Sequence, residues 1–291
     1  MPRQVWSGSK VLDPAGMTHN RLMNSPASGN EAWSGGSSYD SYVGRWSALV
    51  APEFLRLLAV EPDRRWLDVG CGTGVLTRAI LAEAAPRSVL AIDPSEPFLA
   101  HARDAVVDRR ATFRIGTAAE TGLADNAVDV VVFGLVLNYV PDVAAALGEA
   151  RRVVTLNGVV GTYIWDYADG MRFIRAFWDA VVAQDPAAVA FDQGRRYPIA
   201  APDPLSESFA DAGLVSVEVE AINVPTTFAD FDDFWTPFTR GTGQAPVYLA
   251  SLEPDRRDAL RERLRSSLPI DPDGQIHLSA RAWACRGRAR T

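Results

Sequence analysis

The sequence predicts an α/β fold in which short buried strands alternate with helices around a mostly parallel sheet. The first observation is an apolar run at 66–69 that is followed by three alternate glycines and then by helical spacing from Val75 to Ile80. The second is another apolar run at 88–92, which ends at Asp93 and is again followed by helical spacing, from Phe98 to Val106. Strand–turn–helix units in succession are typical of α/β folds with a parallel sheet.

The glycine turn is the most specific of these signals. Residues 68–74 read Asp-Val-Gly-Cys-Gly-Thr-Gly. Because glycine lacks Cβ, Gly70, Gly72 and Gly74 allow unusual backbone angles and the close approach of a ligand. A dinucleotide fingerprint would space its glycines as G-x-G-x-x-G, whereas the third glycine here arrives one residue early. The turn therefore predicts a bound ligand, but not the usual dinucleotide.

The second unit ends in an acidic residue. Asp93 follows the apolar run about 20 residues after the glycine turn, where nucleotide-binding folds hydrogen-bond ribose hydroxyls. The alternative is that Asp93 only caps the next helix together with Ser95. Two further segments follow in order: a strand-like stretch at 112–115 before Gly116, and an apolar strand at 129–133.

Taken together, residues 39–165 resemble the class I S-adenosylmethionine-dependent methyltransferases, whose first motif is Asp/Glu-x-Gly-x-Gly-x-Gly. They are most similar to the small enzymes typified by ubiquinone and menaquinone methylases. The resemblance implies a Rossmann-like, seven-stranded, mostly parallel sheet whose last strand is antiparallel. It also implies S-adenosylmethionine as the cofactor and methyl transfer as the activity.

The resemblance implies roles for individual residues. Asp93 would hold both ribose hydroxyls. Thr117 stands where the family commonly has an Asp that bonds the adenine amino group, so this contact is expected to be weaker. Tyr42, or Tyr39, would cover the sulfonium by cation–π attraction; the alternative is a helix that packs on the core. The expected cofactor-binding residues are Tyr42, Asp68, Gly70, Cys71, Gly72, Thr73, Gly74, Asp93, Pro94, Thr117, Ala118, Ala119 and Leu135.

The acceptor is expected beyond these motifs, because open parallel sheets bind ligands at the carboxyl ends of their strands. The candidate catalytic residues are Asn138, Tyr139, Asp166 and Tyr167, and the candidate acceptor-binding residues are Trp165, Trp178, Tyr197 and Trp235. The aromatics from 168 to 203 also fit a helix that simply docks on the core. Arg195 and Arg196 have two interpretations: they attract an acidic acceptor, or they are simply solvated side chains. Holding the methyl donor and the acceptor in line can lower the barrier to methyl transfer by about 7–11 kcal/mol. Among the histidines, His277 is the only one that we would test as a general base.

The composition of the chain excludes several classes of protein. The net charge of −7 argues against a general nucleic-acid binder. No apolar run is long enough to span a membrane, and the first residues lack an apolar signal core, so we expect a cytoplasmic protein without a membrane partner. Cys71 and Cys285 alone imply neither a disulfide framework nor a metal site. We expect a monomer or homodimer.

The chain is expected to divide into a disordered extension (1–38), a cofactor-binding core (39–165), a cap insertion (166–203), a core helix and strand (204–224), a second cap insertion (225–274), and a final strand with its tail (275–291). The predicted function is methyl transfer from S-adenosylmethionine to a small organic acceptor. One alternative is a protein or tRNA methylase, and another is a non-catalytic protein that binds S-adenosylmethionine. The pattern leaves open whether O, N or C accepts the methyl group.

Overall fold

The computed structural model describes residues 45–240 and 243–290. Seven strands in these ranges form one sheet. They are β1 (Arg65–Val69), β2 (Ser88–Asp93), β3 (Ala111–Ile115), β4 (Val128–Gly134), β5 (Val154–Trp165), β6 (Leu214–Phe228) and β7 (Ile276–Ala289). The predicted N-terminal extension (1–38) and the first residues of the predicted core, including Tyr39 and Tyr42, lie outside the described residues.

The strand order is β3-β2-β1-β4-β5-β7-β6. The neighbours from β3 to β5 pair in parallel, and β7 pairs antiparallel with both β5 and β6. The predicted seven-stranded sheet with an antiparallel last strand is therefore confirmed. The central strands are apolar on both faces, as parallel strands covered by helices must be; Leu67, Val131 and Phe133 have no exposed surface.

Helices surround this sheet. They are α1 (Arg45–Leu58), α2 (Val75–Glu83), α3 (Glu96–Ala105), α4 (Val143–Val153), α5 (Arg172–Gln184), α6 (Gln193–Arg196), α7 (Pro202–Asp211), α8 (Phe231–Arg240), α9 (Gln244–Ser251) and α10 (Pro254–Ser267). Helix α1 packs tightly on β5, where a Cβ at Gly161 would lie 2.5 Å from a Leu58 methyl. None of the helices described is long and apolar enough to cross a membrane.

The β6–β7 hairpin continues past the end of the sheet. Trp165, the last residue of β5, pairs with Ala282, and six further β6–β7 pairs run from Asn223–Arg281 to Phe228–Ile276. The expected core strand ended by residue 224, but buried residues continue at every second position to Phe228. The strand therefore extends into the segment that we expected to begin the second cap insertion.

The cap, which comprises residues 166–203, 229–240 and 243–274, is joined to the sheet by an aromatic core. Phe173 and Phe228 are fully buried, and Trp46 of α1 lies 4.8 Å and 5.2 Å from them between ring centroids. Phe238 stacks on Phe177 at 4.6 Å. Aromatic pairs at these separations stabilise beyond their buried area. The cap is therefore packed firmly against the sheet and α1.

Candidate functional site

The parallel strands bring most of the predicted site residues to one edge of the sheet. The turn after β1 carries Gly70 to Gly74, β2 ends at Asp93, and the loop after β3 carries Thr117. On the other side of β1, Leu135 to Tyr139 follow β4, and Asp166 and Tyr167 follow β5. The carboxyl ends of β1 to β5 thus form a continuous row. Which loops are neighbours in this row depends on the order of the strands in the sheet and not on their order in the sequence.

The three glycines of the turn have different surroundings. All have positive φ: 68° at Gly70, 52° at Gly72 and 82° at Gly74. A Cβ at Gly70 would lie 2.5 Å from Val136, and one at Gly74 would lie 3.2 Å from Val106. A Cβ at Gly72 would meet nothing within 4 Å. The outer two glycines are therefore required by packing, while the backbone at Gly72 faces the open space that a ligand needs.

Asp93 is tied to this turn. One carboxylate oxygen accepts the Gly72 N–H at 3.0 Å, and the other accepts the Ser95 N–H at 2.8 Å. The N-cap residue of α3 is Ser95, whose side chain makes no capping hydrogen bond. Burial raises the pKa of Asp93, and the two N–H donors partly offset that effect. Since a carboxylate oxygen can accept two hydrogen bonds, each can still accept a ligand hydroxyl.

Asp68 is the fully buried acid of the motif. Its Oδ2 accepts the Thr77 hydroxyl at 2.6 Å, while its Oδ1 has no hydrogen-bond partner. Burial raises the pKa of Asp68 to about 7, and the bond from Thr77 opposes this rise. A buried acceptor without a partner is uncommon, and it fits a site that a ligand completes.

The remaining cofactor candidates line the same edge. The Thr117 hydroxyl accepts the Glu120 N–H at 3.1 Å and closes its own turn, with Ala118 half-buried beside it. Burial raises the pKa of the Cys71 thiol well above its usual range, so Cys71 stays protonated and acts as a small packing group. Leu135 has a φ of 57° and donates its N–H to the Tyr163 carbonyl at 2.9 Å. Their contacts with the cofactor stay predictions.

Three tyrosines meet next to this edge, and we call Tyr139, Tyr167 and Tyr197 the tyrosine cluster. The hydroxyls of Tyr139 and Tyr167 are 3.0 Å apart. The Tyr197 ring lies 5.4 Å from that of Tyr139 and 5.5 Å from that of Tyr167. Burial raises the pKa of Tyr197, while Arg196 and a hydrogen bond with Tyr139 lower it by less. The Tyr197 phenol therefore stays protonated near neutral pH and serves as a hydrogen-bonding group.

Asp166 is committed to a buried ion pair. Arg281 donates to its Oδ2 through Nε at 2.8 Å, with Nη2 2.6 Å from the same oxygen, and Asp169 donates its N–H to Oδ1 at 3.0 Å. With both oxygens engaged, the geometry favours a positioning role over that of a base. Sequence reasoning missed Arg281, because one arginine in an alternating strand carries no signal until the register places it beside the end of β5.

A second buried pair, which we call the Arg175 clamp, joins Arg175 to Asp192. The guanidinium donates to both carboxylate oxygens, at 2.6 and 2.8 Å, and also to the Tyr167 carbonyl at 3.1 Å. Asp192 accepts the Gly194 N–H at 2.9 Å. A Cβ at Gly194 would lie 3.0 Å from the Tyr167 carbonyl and 2.9 Å from the guanidinium, so the two segments need glycine there. The clamp was not foreseen from the sequence.

The three predicted tryptophans lie inside the cap and core. Trp165 and Trp178 are fully buried, and the Trp178 indole donates to Gln193 at 3.3 Å. Trp235 stacks on Phe231 at 6.3 Å. Among the predicted acceptor residues, Tyr197 is the one that the structure joins to Tyr139 and Tyr167. Contacts of the three tryptophans with the acceptor stay predictions. Because their side chains are buried, all three also stabilise the packing of the cap and core.

Two further candidates have clear locations. The Asn138 Nδ2 is buried without a hydrogen-bond partner, one residue before Tyr139. His277 lies on the exposed face of the β6–β7 hairpin, where its ring contacts Thr227 at 3.2 Å and Asp271 at 3.6 Å. His277 is thus directed away from the buried face of the sheet. Within residues 45–240 and 243–290, no group of three or more His, Cys, Asp or Glu side chains is arranged to hold a metal ion.

Comparisons with known proteins show which proteins this chain is similar to. A family model described as "Methyltransferase domain" matches residues 67–161, which run from β1 into β5. The nocamycin O-methyltransferase of Saccharothrix syringae is 27% identical over 261 residues, which are 81% of this chain and 89% of that protein. The demethylmenaquinone methyltransferase of Geobacillus kaustophilus is 28% identical over 194 residues, 60% of this chain and 80% of that protein.

A solved structure extends the likeness to the fold. The phosphoethanolamine N-methyltransferase 2 of Haemonchus contortus, in complex with S-adenosyl-L-methionine, superposes with a TM-score of 0.53. It is 18% identical, and the match covers 88% of this chain and 57% of that one. At this identity the likeness concerns the fold, which is shared over most of the chain.

Proposed function

We propose that this chain, which belongs to the S-adenosylmethionine-dependent methyltransferases, methylates a small organic acceptor held at the tyrosine cluster. S-adenosylmethionine is the cofactor. When bound, it supplies an electrophilic methyl group on a positively charged sulfur. The chain's own residues must then hold this group and the acceptor in line and exclude water.

The residues at the glycine turn fit this cofactor. The space beside Gly72 admits a ligand backbone, and the two Asp93 oxygens retain the capacity to accept ribose hydroxyls. Oδ1 of Asp68 lacks a partner at the same turn. We assign the polar ribose and amino-acid parts of the cofactor to these groups, and the adenine to the segment that includes Thr117 and Ala118.

The observation that carries the acceptor site is the tyrosine cluster. It joins the end of β4, the end of β5 and the cap at a single point, next to the cofactor edge. Three phenols in contact offer apolar ring faces together with hydroxyls, which suits an organic molecule with a polar reacting end. The relatives named for O-methylation and for quinone methylation support a small acceptor.

Catalysis then depends mainly on positioning. Asn138, Tyr139 and Tyr167 are placed to orient the acceptor by hydrogen bonds, while Asp166 fixes the backbone after β5. Aligning the reacting groups can contribute about 7–11 kcal/mol, which leaves little for acid–base chemistry to supply. A small acceptor is also favoured over tRNA by the net charge of −7, since RNA binding relies on basic side chains.

The test is a screen with radiolabelled S-adenosylmethionine against small phenols, enols, carboxylic acids and amines, with bulk tRNA and cell protein as competing acceptors. Label in a small molecule supports the proposal. Label only in tRNA or protein would favour a macromolecular methylase, and tight cofactor binding without any label would favour a non-catalytic binder. A cytoplasmic location and a monomeric or homodimeric state remain part of the proposal.

A further inference from the structure

We propose that the acceptor is an oxygen acid that binds as its anion, and that Arg196, with Arg195 beside it, recognises the negative charge. The inference rests on the proposed function and specifies the chemical class of its acceptor. It draws on three features around the tyrosine cluster: the pairing of its charged side chains, the kind of hydrogen-bonding groups, and the rigidity of the segment that carries the arginines.

The carboxylates near the cluster are already neutralised. Asp166 is paired with Arg281, and Asp192 is held by Arg175. Residues 166–203, together with Arg281, carry six carboxylates and five arginines: Asp166, Asp169, Asp179, Asp185, Asp192 and Asp203 against Arg172, Arg175, Arg195, Arg196 and Arg281. Within this set, Arg172, Arg175 and Arg281 are engaged in ion pairs with Asp166, Asp169, Asp179 and Asp192.

The two arginines of this set that have no ion pair with any described residue are Arg195 and Arg196. Both side chains are exposed, and neither forms an ion pair or side-chain hydrogen bond within the part of the chain that the structure describes. They directly precede Tyr197, and the Arg196 charge acts on the Tyr197 phenol. A free guanidinium beside an aromatic site attracts anions and repels ammonium groups.

The polar groups of the site also suit an oxyanion. Asn138 has a buried amide nitrogen without a partner, and the cluster carries phenolic hydroxyls that can donate. The Asp166 carboxylate has both oxygens engaged. Hydrogen bonds from N–H and O–H to an anion are stronger than those to a neutral oxygen. An acceptor that arrives ionised needs no base from the protein.

The arginines are carried by a segment that is held in place. The Arg175 clamp fixes Asp192, which in turn accepts the Gly194 N–H at the start of α6. The same guanidinium binds the carbonyl of Tyr167, a member of the cluster. Arg196 therefore extends from a turn whose position relative to the cluster is fixed by buried hydrogen bonds, which is the support that a recognition residue needs.

Methyl transfer to an ionised oxygen requires no proton transfer. A lone pair of the acceptor oxygen forms the new bond to the methyl carbon while the bond from that carbon to sulfur breaks, and its electron pair stays on sulfur. The negative charge of the acceptor and the positive charge of the sulfonium are both lost. The products are a neutral methyl ether or ester and S-adenosylhomocysteine.

The probe is 4-nitrophenol, whose ionised form absorbs visible light, added to the full-length protein saturated with S-adenosylhomocysteine. We expect the bound probe to ionise at lower pH than the free probe. Benzoate should bind, whereas benzylamine and benzyl alcohol should bind much more weakly. In the double variant Arg195→Gln/Arg196→Gln we expect about tenfold weaker binding of 4-nitrophenolate, the size expected for charge-assisted contacts. Arg263→Gln removes an exposed arginine of α10 that forms no ion pair among the described residues, and should change nothing.

The proposal is overturned if neutral or cationic probes bind as well as the anions, if no probe of the panel binds, or if the double variant and Arg263→Gln behave alike. Failure of the proposed function looks different. In that case the protein would bind S-adenosylmethionine and transfer no methyl group to any small molecule. Methylation of amines or neutral alcohols alone would keep the proposed function and exclude the anionic acceptor.

Discussion

The two halves of the site are built in different ways. The cofactor half, at the ends of β1 to β3, uses contacts between residues close in sequence: Asp68 binds Thr77 nine residues on, and Asp93 binds Gly72 across 21 residues. The acceptor half uses ion pairs such as that of Asp166 with Arg281, 115 residues apart. The proposed cofactor half thus uses local contacts, whereas the proposed acceptor half combines a local pair, Arg175 with Asp192, with one that joins segments far apart in sequence.

The buried charges differ in the same way. In the acceptor half, the buried carboxylates Asp166 and Asp192 each have an arginine. In the cofactor half, Asp68 is buried without an arginine, and the residue that hydrogen-bonds it is Thr77. The acceptor half is therefore sensitive to the loss of a partner, and the cofactor half to pH. The following predictions test this contrast.

The largest effect is expected from breaking the Arg175 clamp. Arg175→Met leaves the Asp192 carboxylate buried without its counter-charge, which should lower the free energy of unfolding by about 3–5 kcal/mol. The measurement is urea denaturation at pH 7. Arg87→Met is the matched control, because it removes an exposed pair with Asp63 and should change stability little. Equal losses in the two variants would mean that the clamp does not organise the acceptor half.

The second effect is the pH dependence that Asp68 introduces. Its pKa is raised by burial to about 7 in the folded protein, from 3.8, so the folded state favours the protonated acid. The stabilisation is fully present below about pH 4 and is lost as the pH rises through 7, by at most about 1.4 kcal/mol per pH unit. Urea denaturation between pH 5 and 8 should show this slope in the wild type, and Asp68→Asn should flatten it. A wild-type slope that persists in Asp68→Asn would assign it to other groups.

The third effect concerns the open side of the glycine turn. Gly72→Ala places a methyl group in the space assigned to the cofactor, and we expect S-adenosylmethionine affinity by calorimetry to fall about tenfold or more, or by at least 1.4 kcal/mol. Gly274→Ala is the control, since Gly274 also has positive φ, 89°, and a Cβ added there would meet nothing within 4 Å. It incurs a similar backbone strain without touching the turn. Unchanged affinity in a folded Gly72→Ala protein would remove the assignment.

The smallest effect separates the halves directly. Tyr197→Phe removes one hydroxyl of the tyrosine cluster and keeps its ring, so the KM of the acceptor should rise several-fold, in line with about 0.5–1.5 kcal/mol for a hydrogen bond. The affinity for S-adenosylmethionine should stay within twofold of wild type, which corresponds to a change in binding free energy of at most about 0.4 kcal/mol. Tyr248→Phe is the control, because it also removes one tyrosine hydroxyl, but from a residue of the cap that lies beside Trp178 and outside the tyrosine cluster. A loss of cofactor affinity in Tyr197→Phe would show that the two halves are not independent.

Much of this protein was determined by sequence alone because the physics involved is local. The apolar runs and glycine turn specify strand–turn–helix units, and a parallel sheet then places Gly72, Asp93 and Thr117 at one edge. The requirement for positive φ at residues 70, 72 and 74 is a property of the backbone that glycine identity already encodes. The family and its cofactor followed from these residues.

Only the tertiary structure decided the organisation of the acceptor half. The extension of β6 to Phe228 and the pairing of Asp166 with Arg281 depend on the register of segments far apart in sequence. The clamp joins Arg175 to Asp192 over a shorter separation, but it depends on how α5 packs against the turn before α6. An arginine reads the same in a sequence whether it is solvated or buried against a carboxylate. Its partner is chosen by which chain segments the folded core brings together, and a local pattern carries no information about that choice.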